Sequence, residues 1–324
     1  MYLRKLGKTN IKLSPLGLGC WQFSKNNGFA GKFWSKIYDK EILDIVKVSL
    51  EGGVNWFDTA ELYGGGKSEK SLSQALNNLN VDQKSTIIAT KWWPLFRTAS
   101  SIKNTIDDRL HYLGGYPITL HQVHMPLGFS SIENEMNAMA DLVEEGKIKY
   151  VGVSNFNENQ MIRAYNALDQ RGIRLASNQV EYSLLNRKIE SNGVLNRAKD
   201  LGVSIIAYSP LSKGLLSGKF HNNPSLIKKS IRWRRYMRMK NQFSKANLLE
   251  SSLVIDELKS ISKAYNATPS QIALNWLVNF NGDIVFAIPG ATKTKQAIDN
   301  VNAMKIKLLP RDIERLDVVS KKYI

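Results

Sequence analysis

Four residues carry the chemistry that this chain could perform: Asp58, Tyr63, Lys91 and His124. Asp58 and Tyr63 share one stretch, Asn55 to Lys70, which reads NWFDTAELYGGGKSEK. Trp56 and Phe57 suit a buried pleat, and the run stops at Asp58, a type that strands avoid. A polar loop with glycines at 64, 65 and 66 follows, and then a helix that starts over Ser68 to Ala75. Lys91 ends a strand at Thr86 to Thr90, and His124 ends one that begins at Ile118. A carbonyl that accepts hydride develops an oxyanion and needs a proton donor. A tyrosine with a reference pKa of about 10 is a poor acid near neutrality. A lysine ammonium beside it favours the phenolate and lowers that value. An aspartate paired to the lysine keeps it charged, and a histidine can hydrogen-bond the carbonyl oxygen. No metal is required, and the four histidines form no metal-ligand pattern. The plainer reading stands beside this one: Asp58 and Thr59 end a strand, Tyr63 packs a turn, Lys91 solvates a strand end and His124 is structural.

The elements that must bring these residues together follow a regular order. A small hairpin is expected at Tyr2 to Lys5 and Ile11 to Leu13, turning at Gly7. The first core strand is Leu16 to Cys20. Strands then alternate with helices: Ile118 to His124, Lys149 to Val153, Ala176 to Tyr182, Val203 to Tyr208 and Ile284 to Ile288 complete the strand set. Among the helices, Asp39 is read as a cap, Ser130 and Glu133 as a capping box, Ile189 to Leu201 as one helix, and Thr268 with Pro269 and Gln271 as a helix start. The strands are short apolar runs, as expected of parallel strands buried on both faces. The count, the period and the length predict an α/β fold, a (β/α)8 TIM barrel with an N-terminal β-hairpin, as a single domain over residues 1–324. In such a barrel the strand ends share one face, so the four residues converge. A doubly wound sheet competes, but its G-x-G-x-x-G turn is absent: the first strand runs into Gly17-Leu18-Gly19-Cys20-Trp21-Gln22.

The 324 residues can bury a large core without staples. One cysteine, Cys20, excludes a disulfide framework and a cysteine zinc site. It fits a reducing compartment. With no apolar signal region at the N-terminus and no membrane-length apolar run, a cytoplasmic protein is expected. The formal net charge is +17, which permits nucleic acid, a membrane surface or an anionic small molecule as partner. Most lysines are dispersed. The dense cluster Lys228 to Lys240 accompanies no nucleic-acid-binding module, so neither nucleic acid nor membrane is expected as a partner.

Seven segments resemble the aldo-keto reductases. FDTAELYG at 57–64, ATK at 89–91 and QVHMP at 122–126 resemble that family's catalytic regions. VGVSNF at 151–156, NQVEY at 178–182, AYSPL at 207–211 and IPGAT at 288–292 resemble its cofactor segments. The stretch Pro210 to Lys219 is similar to the branch that holds bacterial reductases and potassium-channel β-subunits. The resemblance implies Tyr63 as general acid with Asp58, Lys91 and His124 in support. It implies Ser154, Asn155 and Gln179 at the nicotinamide carboxamide and Tyr208 stacked on the ring. Ser209, Leu211, Ser212 and Lys219 would line the pyrophosphate path, and Gly290, Thr292, Gln296 and Asn300 the adenosine end. Trp21, Gln22 and Met125 would approach an aldehyde or ketone substrate. The implied cofactor is NADP(H). Gly290 and Gln296 stand where other branches carry cations for its 2′-phosphate, so Lys293, Lys295, the N–H groups of the helix start at Thr292 to Thr294, or arginines of the basic cluster are expected there. Trp233 and Tyr236 of that cluster are expected to cover the adenine or enter the substrate pocket. The resemblance also admits an NADP(H)-binding regulatory or sensor subunit with little turnover; a sugar-phosphate barrel enzyme is a third reading.

Overall fold

Side chains along a strand alternate between its faces, and in this chain that alternation stacks two layers inside one ring. The computed structural model describes residues 2–31, 36–227 and 241–324. Two short strands, β1 (Arg4–Lys5) and β2 (Lys12–Leu13), form an antiparallel hairpin. Eight parallel strands follow: β3 (Leu18–Gly19), β4 (Trp56–Asp58), β5 (Ile87–Trp92), β6 (Ile118–Val123), β7 (Ile148–Ser154), β8 (Leu175–Glu181), β9 (Ser204–Tyr208) and β10 (Val285–Ala287). They neighbour one another in chain order, and bridges from Leu16 to Ala287 and from Gly19 to Gly290 join the first to the last. The ring with its outer helices is the expected (β/α)8 barrel. Its longer helices are α1 (Asp39–Glu51), α2 (Lys67–Asn78), α3 (Ser100–Tyr112), α4 (Ile132–Glu144), α5 (Glu158–Asp169), α6 (Val194–Leu201), α7 (Lys245–Ala264), α8 (Pro269–Asn279), α9 (Thr294–Ala303) and α10 (Pro310–Ser320).

The lower layer of the interior is apolar. Trp56 of β4, Ala89 of β5, Leu120 of β6, Ile206 of β9 and Phe286 of β10 pack with Leu6 and Leu13 from the hairpin. The Trp56 indole also donates to the Ser14 carbonyl at 2.9 Å. The hairpin therefore plugs the end of the barrel where strands begin. Burying Leu6 and Leu13 contributes about 1.5–3 kcal/mol each. Two residues further along the same strands, the inward positions become Asp58, Lys91, Gln122 and Tyr208. The alternate residues, Phe57 and Ala207 between these layers and Ile88 just before Ala89, pack outward in the layer beneath the helices.

Several local expectations shift by a residue. Asp39 is the first residue of α1, and the cap is Tyr38, whose backbone N–H donates to Glu41 at 2.8 Å. Ser131, not Ser130, caps α4 by accepting from the Asn134 N–H. Ser130 instead accepts from the Ala99 N–H at 2.9 Å and ties two loops together. The helix expected over Ile189 to Leu201 is broken by Gly193 at φ 86°, leaving a 3-10 turn at Lys188–Glu190 before α6. Thr268 and Gln271 form the expected reciprocal cap of α8. Helix α10 was not anticipated. Its signal is Pro310 at the first turn followed by Ile313 and Leu316, with Leu316 fully buried.

Candidate active site

The upper interior layer begins with a buried ion pair. Lys91 Nζ lies 2.5 Å from Asp58 Oδ1 and donates to the Thr59 carbonyl at 2.9 Å. Both side chains are sealed from solvent. A lone buried charge is costly, so the pair needs further partners. Asp58 Oδ2 accepts from Gln179 Nε2 at 2.8 Å and from Gln122 Nε2 at 3.3 Å. Gly152 makes room for this: a Cβ there would stand 2.7 Å from Ser177 Oγ and 3.0 Å from the Gln122 side chain. Burial pulls the Lys91 ammonium down from its ordinary value, and Asp58 opposes that pull by charge and by hydrogen bond.

Tyr63 sits above this pair, with Lys91 Nζ 5.1 Å from its ring centroid. Trp21 stacks on the tyrosine at 5.7 Å, and His124 meets it edge-on at 5.8 Å. Trp93 in turn meets His124 edge-on at 5.3 Å. Among the described residues no group takes a hydrogen bond from the Tyr63 hydroxyl. The three residues that the sequence places at strand ends and the tyrosine of the following loop thus lie together. The expected lowering of the Tyr63 pKa is not what the site does. Burial raises it well above the ordinary value, and Asp58 and then Cys20 raise it further. The charge of Lys91 is already answered by Asp58 at contact distance, so the phenol keeps its proton. Burial, aided by Lys91, pushes His124 well below the usual histidine range, so its imidazole is neutral. Among the described residues its Nδ1 has no hydrogen-bond partner.

On the other side of the mouth, β7 and β9 end in strained turns. Asn155, Ser209, Ser212 and Lys213 take left-handed φ values of 60°, 51°, 45° and 56°. For residues other than glycine such conformations cost about 1–3 kcal/mol each and cluster at ligand sites. A relay runs across the mouth. The Tyr208 hydroxyl donates to Asn155 Oδ1 at 2.9 Å, and Asn155 Nδ2 donates to Ser154 Oγ and to the His124 carbonyl. Ser154 Oγ donates to the Gln179 carbonyl at 2.9 Å. Ser212 Oγ shares a hydrogen bond with Ser183 at 2.8 Å, and Leu211 is half-buried beside it. Lys219 Nζ lies 4.7 Å over the Phe220 ring. After β10, Gln22 lies across Gly290, where a Cβ would come within 2.4 Å of the carboxamide; among the described residues the buried Gln22 Oε1 has no hydrogen-bond partner. Met125 is half-buried next to His124. Asn300 is buried in α9, and Gln296 is exposed. Gln296 Oε1 accepts from the backbone N–H of Thr292 at 2.7 Å and of Lys293 at 3.2 Å. These N–H groups, expected for a phosphate, are therefore capped by the chain itself. The basic cluster Lys228 to Lys240, with Trp233 and Tyr236, lies outside the described residues.

The sequence reading missed an outer set of buried charges. Glu69 on α2 is fully buried; its Oε1 accepts from Thr90 Oγ1 at 2.6 Å, and its Oε2 lies 2.9 Å from Arg109 Nε. Burial pushes Glu69 up to about 7, against the pull of Arg109. Glu61 accepts from Arg97 at 2.6 Å and from the Trp93 N–H at 3.1 Å. The signal for Glu69 was its place, three residues into a helix whose other polar positions read as surface. Among the described residues no cluster of His, Cys, Asp and Glu could hold a metal, and no helix is long and apolar enough to cross a membrane.

The aldo/keto reductase family profile matches residues 15–321, and the chain belongs to that family. It is an oxidoreductase, and its family generally uses a nicotinamide cofactor and acts on small carbonyl substrates. An uncharacterized oxidoreductase of Mycobacterium bovis is 32% identical over 96% of this chain and 91% of its own. A probable aldo-keto reductase of Glycine max is 27% identical over 96% of this chain and 87% of its own. Among solved structures, a thermostable aldo-keto reductase in complex with the inhibitor epalrestat is 27% identical, with a TM-score of 0.77 over 98% of this chain and all of that one. The glycerol dehydrogenase of Gluconobacter oxydans, 24% identical, shares the fold with a TM-score of 0.82 over 99% of this chain and 96% of that one.

Proposed function

We propose that this protein is an NADP(H)-dependent carbonyl reductase of aldehydes or ketones, with Tyr63 as general acid. The observation that carries the reading is the sealed Asp58–Lys91 pair at 2.5 Å directly below a tyrosine whose hydroxyl is uncommitted. The nicotinamide, when bound, supplies the hydride to the carbonyl carbon. Tyr63, kept protonated by burial, donates its proton to the carbonyl oxygen as charge develops there. Lys91 lies close enough to stabilise the phenolate that results, and Asp58 with its two amide donors holds Lys91 in place. Neutral His124 orients the carbonyl oxygen by hydrogen bond without adding a charge. Trp21, Gln22 and Met125 would border the substrate.

The strained turns and the relay from Tyr208 to Gln179 fit a nicotinamide nucleotide. Ser154, Asn155 and Gln179 would hold its carboxamide, and Tyr208 would stack on the ring. Ser209, Leu211, Ser212 and Lys219 would follow the pyrophosphate, and Gly290, Thr292, Gln296 and Asn300 the adenosine end. The reading takes residues 1–324 as one barrel domain in a reducing, cytoplasmic setting, which the single buried Cys20 supports.

The test is Tyr63→Phe, which keeps the ring and removes the hydroxyl. Carbonyl reduction should fall by about 10²–10⁴-fold, the usual contribution of general acid catalysis, with NADPH affinity unchanged. A near wild-type rate would remove Tyr63 from the role and make His124 the candidate donor. Tight NADPH binding with no turnover of any aldehyde or ketone in a broad panel would favour the regulatory reading instead.

A further inference from the structure

Tyr63 stands on a glycine-rich loop whose turn is closed by backbone bonds from the Tyr63, Gly66 and Ser68 N–H groups to the Ala60, Glu61 and Tyr63 carbonyls. Gly64, Gly65 and Gly66 follow it, all with positive φ, and a Cβ added at Gly65 would meet nothing within 4 Å. A glycine run loses more conformational freedom on ordering than any other sequence. The tyrosine hydroxyl ties to no described group, so the ring is located by Trp21, His124 and Lys91 around it and by its chain.

The chain is held on both sides of the tyrosine by carboxylates. Before it, Glu61 is fixed to the loop after β5 through the Trp93 N–H and Arg97, and its backbone N–H donates to the Lys91 carbonyl at 3.1 Å. After it, Glu69 is fixed to β5 through Thr90. One side chain reaches both: Arg109 of α3 places Nε 2.9 Å from Glu69 and Nη1 3.5 Å from Glu61. Arg109 is itself buried, and its guanidinium lies over the Tyr112 ring at 5.2 Å. The strand makes the coupling direct. On β5, Thr90 faces outward to Glu69 while Lys91 faces inward to Asp58, so the residues that locate the loop and the residue beneath the tyrosine are neighbours in sequence.

We infer that Arg109 is a positioning residue for the proton donor: by engaging Glu61 and Glu69 together, it fixes the loop between them and sets Tyr63 over Lys91. The inference rests on the reading of Tyr63 as general acid. Both contacts are ion pairs, and arginine suits the task because its delocalised guanidinium stays charged when buried and presents its charge to two carboxylates at once. A displacement near 1 Å at a reacting group can cost about 10²-fold in rate.

The test is a cycle of variants. Arg109→Met should lower kcat for carbonyl reduction by about 10- to 100-fold, with the dissociation constant for NADPH unchanged. Arg109→Lys should recover part of that loss. In a Tyr63→Phe background, Arg109→Met should cost nothing further, because it acts through the missing hydroxyl. If Arg109→Met fails to fold, Glu61→Gln replaces it in the same cycle, with a smaller loss expected and the same disappearance in the Tyr63→Phe background. Equal fold-losses in both backgrounds, or an unchanged kcat, would overturn the positioning role. Retention of full rate by Tyr63→Phe alone would instead overturn the functional reading, and the two failures are thereby told apart.

Discussion

The two halves of the barrel mouth are built by different means. The half formed by β4, β5 and β6 is made of side chains: Asp58 and Lys91 at 2.5 Å, Gln122 beside them, His124 edge-on to Tyr63, and the outer charges of Glu61, Glu69 and Arg109 behind. The half formed by β7 to β10 joins a side-chain relay from Tyr208 through Asn155 to Ser154 with strained backbone: left-handed residues at Asn155, Ser209, Ser212 and Lys213, and a helix start capped by Gln296. Chemistry needs groups of fixed charge at fixed distances, and buried pairs supply that. Holding a nucleotide needs a surface shaped to a ligand, and strained turns supply that. Variants in the first half should therefore change rate and stability, and variants in the second should change cofactor affinity.

The largest effect tests the first half. Lys91→Met leaves Asp58 buried with no cation, and breaking a buried pair from one side costs about 3–5 kcal/mol of stability. Carbonyl reduction should fall as well. The double variant Asp58→Asn with Lys91→Met removes both charges, so it should regain much of the lost stability while reduction stays depressed. Denaturant unfolding and steady-state rates on all three proteins give the comparison. A double variant that regains its rate would show that the pair only supports the fold.

The same division explains what the sequence made legible. Asp58, Lys91 and His124 announce themselves because a charged or titratable type at the end of an apolar strand is conspicuous, and the barrel topology then brings them together. Thr90 and Glu69 give no such sign. Thr90 is one of the ordinary strand formers, and Glu69 on a polar helix reads as a surface residue although it is fully buried. Gln122 stood inside a recognised segment, but only the contact with Asp58 shows its use. The left-handed turns at Ser209 and Ser212 are conformations of residue types that rarely adopt them, so composition cannot reveal them. The sequence predicts the opposite direction for the Tyr63 shift for a related reason: the lysine is visible in it, but the degree of burial and the compensation of Lys91 by Asp58 are not.

An intermediate effect tests the second half. Lys293 and Lys295 are exposed cations at the start of α9, where Gln296 has already taken the N–H groups of Thr292 and Lys293. If the 2′-phosphate of NADPH lies there, side chains must meet it. Lys293→Ala or Lys295→Ala should then weaken NADPH by up to about 1.5–3 kcal/mol, the worth of a charge-assisted bond, and leave NADH almost unchanged. Fluorescence titration with both reduced cofactors measures this. Equal losses for the two would show surface charge only, and the arginines of the segment 228–240 become the candidates. Loss of rate without loss of affinity would break the proposed division between the halves.

The smallest effect is a near cancellation, and it belongs to the first half. Burial holds His121 down at about 3 and His124 well below the usual histidine range. Burial lifts Glu69 and Glu135 to about 7; for Glu135, whose carboxylate crowds against Gly128, it is the sole cause. Unfolded histidine titrates near about 6.5 and unfolded glutamate near about 4.3. As the pH falls from about 6.5 to about 4.5, the unfolded chain binds protons on the two histidines that the folded chain refuses. Each histidine thereby removes up to about 1.4 kcal/mol of stability per pH unit. Over the same range the folded chain binds protons on the two glutamates that the unfolded chain does not, and each adds up to about the same amount. Two groups against two leave stability nearly flat from these sites. Below about pH 4.5 the glutamates are protonated in both states, while His121 still resists charging until about pH 3, so stability falls. Glu135→Gln removes one of the offsetting groups and leaves the site neutral at every pH. Its unfolding free energy should decline from pH 6.5 to 4.5 by up to about 1.4 kcal/mol per unit, where the parent stays level. A variant profile parallel to the parent's across that window would show that Glu135 ionises as an ordinary surface carboxylate, and the β4–β6 half would lose one of its buried titrating groups.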